Sequence, residues 1–237
     1  MTTVDIVIPV LNEEKALPGS VDRLRGFLQA NLPHSWRIVI ADNGSTDGTL
    51  ILAEAMSKEY GDVQVVHLAQ KGRGRALRQV WSESDADILT YMDVDLSTGL
   101  EAFPPLVKAI AEEGYHLSTG SRLLRASQLK RSVKREILSR SYNFMIKALF
   151  FTPFSDAQCG FKAISKVAAK ELLPLTRDTG WFFDTELLII AVKRGYKIKD
   201  IPVAWVEDPD TRVKIFSTVS RDIQGLLRLR FERPWRR

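Results

Sequence analysis

Cysteine and histidine are scarce in this chain of 237 residues, and their scarcity excludes two kinds of site. The single cysteine, Cys159, cannot form an intrachain disulfide and suits a reducing compartment. We interpret it as a small buried hydrophobe rather than a nucleophile. The three histidines are scattered along the chain, so they indicate no zinc centre.

Long apolar runs are also missing. No stretch approaches the roughly 18 to 20 apolar residues of a membrane-spanning helix, and the chain starts in a predicted strand without a signal-peptide pattern. The net charge of +5 is a modest basic excess that suits an anionic partner, such as a nucleotide or a phospholipid surface. A nucleic-acid binder is disfavoured because no recognition motif is present. We therefore expect a soluble or peripheral protein.

The first half alternates short apolar runs with amphipathic stretches, in a chain that is 45% apolar and large enough for a sizeable core. This alternation predicts an α/β fold with a mostly parallel sheet, in which ligands bind at the carboxyl ends of the strands. The predicted strands cover residues 6–10, 37–41, 63–68 and 88–92, and the predicted helices cover residues 13–28, 49–60 and 74–84.

Polar motifs follow all four predicted strands, which would bring them to one edge of the sheet. They occupy residues 12–14, 42–45, 71–72 and 93–95. Asp93 and Asp95 matter most, because two carboxylates on one rim can hold a divalent cation, and that cation can hold a diphosphate. The pattern predicts chemistry on a nucleotide-activated substrate, and an exposed acidic turn is the alternative.

The second half is less regular. We predict a strand at residues 117–121, a late strand at 198–206 and a C-terminal helix at 217–231. Between them lie a basic segment at 131–151, a loop at 156–162, a short helix, and a helix that opens at 181–186.

Four motifs resemble, in this order, those of family-2 glycosyltransferases: PVLNEE at residues 9–14, DNGSTDGT at 42–49, DVD at 93–95 and DAQCGFK at 156–162. The chain resembles in particular the polyprenyl-phosphate sugar transferases, the dolichyl-phosphate mannose and glucose synthases. The QCGFK loop and the motif FDTEL at 183–187 are typical of this lipid-phosphate subgroup. The resemblance implies a GT-A (Rossmann-like) fold, a nucleoside-diphosphate sugar donor and inversion at the sugar carbon.

The resemblance assigns a metal to the donor side of the site. Asp93 and Asp95, with Val94 between them, would hold Mg²⁺ or Mn²⁺. The metal would neutralise charge as the nucleoside diphosphate leaves. Ser97 stands where relatives often carry a metal-assisting glutamine, so it would be a shorter third ligand.

The nucleotide would contact the exits of the first two strands. By resemblance, Asp42 would accept a hydrogen bond from the base, and Glu14 would be the ribose-contacting acid. The rest of this donor-binding set comprises Pro9, Val10, Asn12 and Asn43. Helix capping is the alternative for Asp42 and for its neighbour Asp47, and a solvated place in the first helical turn is the alternative for Glu14.

Two basic loops complete the expected donor site. Lys71 belongs to the glycine-rich loop KGRGR, which could approach phosphates through backbone N–H groups and charge, although it lacks the spacing of a Walker loop. For Arg73 and Arg75 in this loop, a solvated basic face is an equal alternative. After the last strand, Arg212 or Lys214 would close over the diphosphate, as a basic residue does in relatives.

On the acceptor side, Arg122, Arg135 and Ser139 match the family's phosphate-binding positions. Arginine forks suit phosphate oxygens, and Arg135 and Ser139 lie one helical turn apart, where both can face one anion. Asp156 and Gln158 would shape the sugar and acceptor pocket. An ordinary basic helix surface is the alternative for the arginines.

These residues indicate a mechanism without a strong general base. A lipid monophosphate has a second pKa near 6, by analogy with phosphorylated side chains, so it is already a nucleophile at pH 7. Positioning and charge neutralisation by the two metal-binding aspartates, Arg122 and Arg135 would then carry catalysis. A sugar hydroxyl as acceptor would instead need a base, Asp156 or Asp184, although Asp184 could equally cap or flank a helix.

Two basic amphipathic segments are typical of contact with a membrane surface. One places Ile137, Leu138, Tyr142, Met145 and Leu149 at helical spacing among basic residues, and the other is the arginine-rich stretch at 226–237. Packing on the core is the alternative for each. We expect a cytoplasmic protein, peripheral at the cytoplasmic face of the membrane. A membrane-anchoring partner subunit and a longer protein both stay open.

We therefore predict a metal-dependent enzyme that moves mannose or glucose from GDP-mannose or UDP-glucose to a polyprenyl phosphate. The alternatives are a family-2 glycosyltransferase with a saccharide or other hydroxyl acceptor, and a non-catalytic subunit that binds nucleotide sugars. A nucleotidyltransferase is disfavoured, because it needs a glycine-rich loop where residues 12–14 stand. We expect one domain, 1–237, with a nucleotide-sugar-binding half at 1–98, an acceptor-binding half at 99–215 and a basic C-terminal helix at 216–237.

Overall fold

The computed structural model describes residues 2–130, 132–206 and 215–236, without the side chains of residues 130, 133–135 and 215–218. The strands are β1 (Thr3–Val10), β2 (Ser35–Asp42), β3 (Val63–His67), β4 (Ile88–Met92), β5 (Leu117–Ser121), β6 (Gln128–Lys130), β7 (Phe161–Ser165), β8 (Ile198–Pro202) and β9 (Ala204–Val206). The α-helices are α1 (Leu17–Asn31), α2 (Thr49–Glu59), α3 (Arg73–Glu83), α4 (Phe103–Ala111), α5 (Val133–Phe150), α6 (Lys166–Leu172), α7 (Phe183–Lys193) and α8 (Ile215–Glu232).

Seven strands form one sheet in the order β3-β2-β1-β4-β7-β5-β8. The pairs β3–β2, β2–β1, β1–β4 and β5–β8 are parallel, and only β7 runs antiparallel to its two neighbours, β4 and β5. Strands β6 and β9 form a separate two-stranded sheet. The prediction of an α/β fold with a mostly parallel sheet is confirmed.

The sheet lies between two apolar cores, because its central strands are apolar on both faces. In β1, Val7 faces one core while Ile6 and Ile8 face the other. Helices α3, α5, α6, α7 and α8 contribute to the first core, and α1, α2 and α4 contribute to the second. Helices therefore cover both faces of the sheet, and the ends of its strands stay open to ligands.

Three predicted elements differ from the structure. The loop at 156–162 gives way at Phe161 to β7, a strand inserted between β4 and β5. The single late strand at 198–206 is two strands in different sheets, because Pro202 has no N–H with which to continue the ladder. Helix α1 starts at Leu17 rather than at residue 13, with a proline in its first turn. The helix α4 was not predicted.

Two long helices, α5 and α8, lie on the first core and carry exposed apolar side chains. Among the residues described, no helix has both the length and the hydropathy needed to cross a bilayer.

Candidate active site

Several of the predicted site residues lie along the carboxyl edge of the large sheet. Asp42 ends β2, Asp93 follows β4, and Arg122 follows β5. Because β7 is antiparallel, its start rather than its end lies at this edge. The segment 156–160 therefore reaches the same edge and contacts the exits of both neighbouring strands.

The turn after β2 is tied to the exit of β1 by two predicted donor-binding residues. Asn12 adopts a left-handed conformation with φ of 57°. Its Oδ1 accepts a hydrogen bond from Thr46 N at 2.8 Å, and its backbone N donates to Ser45 Oγ at 3.0 Å. Glu14 Oε2 accepts from Gly48 N at 2.8 Å. Both side chains thus stabilise the turn at 42–49.

Asp42 is fully buried beneath this turn. Its Oδ1 accepts from Ser45 N at 3.3 Å, and its Oδ2 lies 2.7 Å from His67 Nδ1. Asp47 is half-buried and caps the start of α2, since its Oδ1 accepts from Thr49 N at 3.0 Å. The Thr49 hydroxyl, which bonds the same carboxylate, lowers the pKa of Asp47. The capping alternative therefore describes Asp47.

Asn43 joins the first strand to the basic loop. Its backbone N donates to Val10 O at 2.9 Å, and its Oδ1 accepts from Gly72 N at 3.0 Å. Val10 is buried and Pro9 is half-buried, so these two residues form the floor of the strand exit. The Lys71 side chain is exposed next to them. The structure brings the predicted nucleotide-contacting residues together at one end of the sheet edge.

Asp93 and Asp95 project from the end of β4, on either side of the buried Val94. The Asp93 side chain is 42% exposed, and Asp95 is exposed. Ser97 N donates to Asp95 Oδ1 at 2.9 Å, which fixes the second carboxylate. Behind the first, a Cβ at Gly160 would overlap the Asp93 carboxylate, so only glycine leaves room for it.

Arg73, which we could not distinguish from a solvated residue, lies in a buried cluster beneath Asp93. Its Nη2 donates to the Tyr91 hydroxyl at 2.6 Å and also binds Asp184. Its Nη1 lies 3.7 Å from Asp93 Oδ1. Lys162 Nζ, also buried, lies 3.4 Å from Asp184 Oδ1. Buried charges persist when they are paired, and here two cations share these carboxylates.

One feature of the sequence indicates this cluster. Lys162 stands inside the apolar strand FKAIS, and a lysine there needs a buried partner. That partner, Asp184, is the residue for which we left helix capping and catalysis open. The Trp181 ring, which is half-exposed, covers the Arg73 guanidinium at 4.5 Å.

The charges of this cluster change the acidity of Asp93. Its pKa is raised, first by its removal from water and then by the negative charges of Asp95 and Asp184. Arg73 and Lys162 oppose the increase without cancelling it. A bound cation would favour the charged form of Asp93 and oppose this increase.

A metal would need ligands from outside the protein. Among the described residues, no group of three or more His, Cys, Asp or Glu side chains could hold a metal ion. Mg²⁺ is commonly bound by one or two carboxylates together with substrate phosphates and water. Asp93 and Asp95 fit that mode, because both carboxylates follow the end of β4 and are at least partly open to solvent.

On the acceptor side, Arg122 is held rigidly by Asp156. Its Nε and Nη2 bind the two carboxylate oxygens at 2.7 and 3.0 Å, and its backbone N donates to Oδ2 at 3.1 Å. Asp156 is fully buried, and burial alone would raise its pKa, but the Arg122 guanidinium outweighs burial and lowers it. The indole of Trp205 lies 5.5 Å from this guanidinium.

Gln158 connects this pair to α8. Its backbone N donates to Asp156 Oδ1 at 3.1 Å, and its Nε2 donates to Asp222 Oδ2 at 3.0 Å. Burial and the nearby Asp178 raise the pKa of Asp222 to about 6. Sequence reasoning missed Asp222, because nothing in α8 relates it to the segment at 156–160.

The remaining predicted acceptor residues belong to α5 and to the segment before α8. Ser139 is buried, and among the described residues its hydroxyl has no hydrogen-bond partner. A buried hydroxyl without a protein partner can donate to or accept from a bound ligand. The Arg135 side chain, Arg212 and Lys214 lie outside the description. Cys159 is buried, and burial raises its pKa to about 12, which suits a core residue rather than a nucleophile.

The chain is similar to known glycosyltransferases. A family model described as Glycosyl transferase family 2 matches residues 5–173. Glycosyltransferase AglD of Haloferax volcanii is 32% identical over 228 residues, which cover 94% of this chain but 35% of that protein. A dolichyl-phosphate beta-glucosyltransferase of Mus musculus is 30% identical, with 85% of this chain and 67% of that protein covered.

The fold is also that of a solved structure. Glucosyl-3-phosphoglycerate synthase from Mycobacterium tuberculosis, in complex with uridine diphosphate, superposes with a TM-score of 0.74 over 97% of this chain and 80% of that chain. The two sequences are 22% identical, so this likeness concerns the GT-A fold alone.

Proposed function

Because the chain belongs to glycosyl transferase family 2, we propose that it transfers glucose from UDP-glucose to a polyprenyl phosphate of the dolichyl type. Several relatives bear the name dolichyl-phosphate beta-glucosyltransferase, which supports glucose over mannose and a lipid phosphate over a saccharide. The chain spans about a third of the length of AglD and about two thirds of the length of the glucosyltransferases.

The observation that carries the proposal is the placement of Arg122 and Asp93 at the two ends of the segment 156–160, on one edge of the sheet. Asp156 holds the guanidinium through two hydrogen bonds and the Arg122 backbone N through a third, and Gly160 O accepts from Asp93 N at 3.3 Å. A fixed cation next to a carboxylate pair is what joining a phosphate to a diphosphate sugar requires. The buried hydroxyl of Ser139 supports an anion on the same side.

Asp93 and Asp95 would hold Mg²⁺ or Mn²⁺, with Ser97 next to them. When bound, the metal would offset the charge that develops on the departing nucleoside diphosphate. Arg122, and Arg135 on α5, would orient the acceptor phosphate, while Arg212 or Lys214 would cover the diphosphate.

In this scheme, the covalent change involves two bonds. A phosphate oxygen of the acceptor forms a bond to the sugar carbon from the face opposite the leaving group, and the bond from that carbon to the diphosphate breaks. The acceptor phosphate is mostly deprotonated at pH 7, so the protein does not need to remove a proton. Its contribution is orientation and charge stabilisation.

We further propose that α5 and α8 lie on the cytoplasmic face of a membrane. Large apolar side chains are exposed along both helices: Ile137, Phe144 and Phe151 at the α5 side, and Ile223, Leu227 and Phe231 on α8. The exposed residues Arg140, Lys147 and Arg230 accompany them. Such a surface suits the headgroup region of a bilayer, where a polyprenyl phosphate would be met.

Transfer from labelled UDP-glucose and GDP-mannose to a short polyprenyl phosphate, with Mn²⁺, Mg²⁺ or chelator, tests the reaction. We expect labelled glucolipid with metal, and a loss of at least about 100-fold in Asp95→Ala. Asp85→Ala is the matched control, because Asp85 is exposed and precedes β4 at the opposite edge of the sheet.

Three results would redirect the proposal. Product from GDP-mannose alone would reverse the donor assignment. Transfer to a saccharide but not to the lipid would favour the hydroxyl acceptor. Tight nucleotide-sugar binding without turnover on any acceptor would favour a binding subunit.

A further inference from the structure

A basic cavity lies at the C-terminal ends of α5, α7 and α8, away from the carboxyl edge of the sheet. Its volume is about 240 Å³, and four of its lining side chains are Lys193, Arg230, Arg233 and Arg236. Apolar side chains, including Leu149 and Phe151, form the rest of the wall, and no acidic side chain lines it.

Within the described part of the chain, the four cations of this basic cavity have no carboxylate partner. Among the described residues, none of them forms an ion pair, and the adjacent carboxylate of Glu232 is bound by Arg177 at 2.7 Å. The backbone turns sharply at Arg233, with φ of 46°, and Arg233 Nε donates to Arg230 O at 3.3 Å. Converging like charges repel one another, so the cavity is complementary to an anion.

The rim identifies the kind of anion. Phe151, which lines the cavity, is 83% exposed, and Phe231, the residue after Arg230, is 80% exposed, although residues of this size are usually buried. Cations beside exposed aromatic side chains are typical of a surface that enters lipid headgroups. A soluble phosphate compound or a nucleic acid would leave these rings in water.

We propose that the basic cavity binds the phosphate headgroup of an anionic phospholipid. Arginine forks match phosphate oxygens in two-point contacts, and the exposed rings would lie among the acyl chains. The cavity sits at the far end of the same helix, α5, that carries Ser139. A lipid held there would orient the apolar face of α5 and α8 on the bilayer, with the acceptor end of the helix also at the surface.

Co-sedimentation with vesicles tests the site without any glycosyl transfer. Vesicles of phosphatidylcholine are compared with vesicles that also contain phosphatidylglycerol. We expect binding to need phosphatidylglycerol and to weaken about five-fold for each arginine neutralised in Arg233→Gln and Arg236→Gln. The decisive variant is Arg233→Lys with Arg236→Lys, which keeps the charge and removes the forks. It should also weaken binding several-fold.

Arg221→Lys with Arg23→Lys is the matched control, since both residues are exposed arginines outside the cavity. We expect no change in the control, and thermal melting should show that all variants are folded. If the variant with Arg233→Lys and Arg236→Lys binds vesicles as well as wild type, positive charge alone explains binding and the proposed site is wrong. Displacement of the protein from vesicles by glycerol phosphate, at a concentration too low to screen charge, would support a phosphate site, and equal binding to vesicles with and without phosphatidylglycerol would overturn it.

Discussion

Two arginine–aspartate pairs flank Asp93, and they differ in how many cations share each carboxylate. Among the described residues Asp156 pairs with one cation, Arg122, in an arrangement where two guanidinium nitrogens meet two carboxylate oxygens. The positive charge is fully matched, and the pKa of Asp156 falls below its ordinary value. The arginine is thus fixed in one orientation and keeps one face toward the site.

Arg73 and Asp184 form a shared pair. Asp184 also accepts from the Tyr91 hydroxyl at 2.5 Å and faces the ammonium of Lys162. Arg73 in turn reaches toward Asp93, and its buried Nε has no hydrogen-bond partner among the described residues. The Arg122 pair fixes one side chain, whereas the Arg73 cluster connects the pKa of Asp93 to the charges of buried residues.

The two pairs should differ most in how much stability the protein loses when the carboxylate of each pair is neutralised. Asp184→Asn leaves two buried cations, Arg73 and Lys162, without their shared charge, and we expect it to destabilise the fold by about 3–5 kcal/mol. Asp156→Asn leaves one cation and should be less damaging. Urea unfolding of both variants measures the difference. An equal or larger effect at Asp156 would contradict the idea that the Arg73 cluster is shared.

The support of the Arg122 pair by α8 should appear in the pH dependence of stability. Asp222 has a folded pKa of about 6 against an ordinary value of 3.8, so the folded protein binds this proton more tightly than the unfolded chain. The group therefore stabilises the fold below about pH 4, and that contribution is lost as pH rises through 6.

Asp222→Asn removes this titration. Between pH 4 and pH 8, the free energy of unfolding of the variant should gain up to about 3 kcal/mol relative to wild type. Chemical denaturation across that pH range measures the gain. Parallel curves for the two proteins would show that Asp222 does not titrate in the folded state. Asp85→Ala, an exposed change, should leave the wild-type pH profile intact.

Conservative changes of the arginines should separate acceptor from donor. Arg122→Lys keeps the charge but loses the fork with Asp156, and we expect the KM for polyprenyl phosphate to rise about ten-fold with little change for the nucleotide sugar. Arg73→Lys should act on the nucleotide sugar instead, through Asp93. Steady-state kinetics with each substrate varied in turn gives the comparison. The same KM affected in both variants would remove the distinction.

The smallest effect should come from the indole that covers the Arg73 cluster. Trp181→Leu removes a half-exposed ring at 4.5 Å from the guanidinium, and we expect a loss of about 0.5–1 kcal/mol. Urea midpoints are sensitive enough to detect it. A loss as large as that of Asp184→Asn would mean that the ring, rather than the ion pairs, holds the cluster together.

The sequence was sufficient for the parallel half of the sheet and for the site's edge. The observed bounds of β4 are those predicted, because an apolar run that ends at two aspartates has one natural boundary. The same logic brought Asp42 and Arg122 to the edge, since strand ends in a parallel sheet align. The antiparallel β7 could not be predicted from the motif that precedes it, because its place depends on pairing with distant strands.

The Arg73 cluster shows why the rest of the site was hidden. Arg73 and Asp184 are 111 positions apart in sequence, and nothing local distinguishes a paired arginine from a solvated one. Asp222 was missed for the same reason, because its partner Gln158 lies in another element. Lys162 is the exception, since its apolar surroundings already implied a buried partner.

The reversed strand β7 also sets the order in which the sheet can be built. Its neighbour β4 is formed from Ile88–Met92, but β7 follows only after α4, β5, β6 and α5 have been synthesised. Until then, β4 is an edge strand with five apolar or uncharged residues and unpaired backbone groups. A nascent or truncated chain that stops before Phe161 would therefore expose the unpaired edge of β4 and associate with other chains. Because β4 pairs with a strand that is distant in sequence, we expect the surroundings of Asp93 to form late in folding.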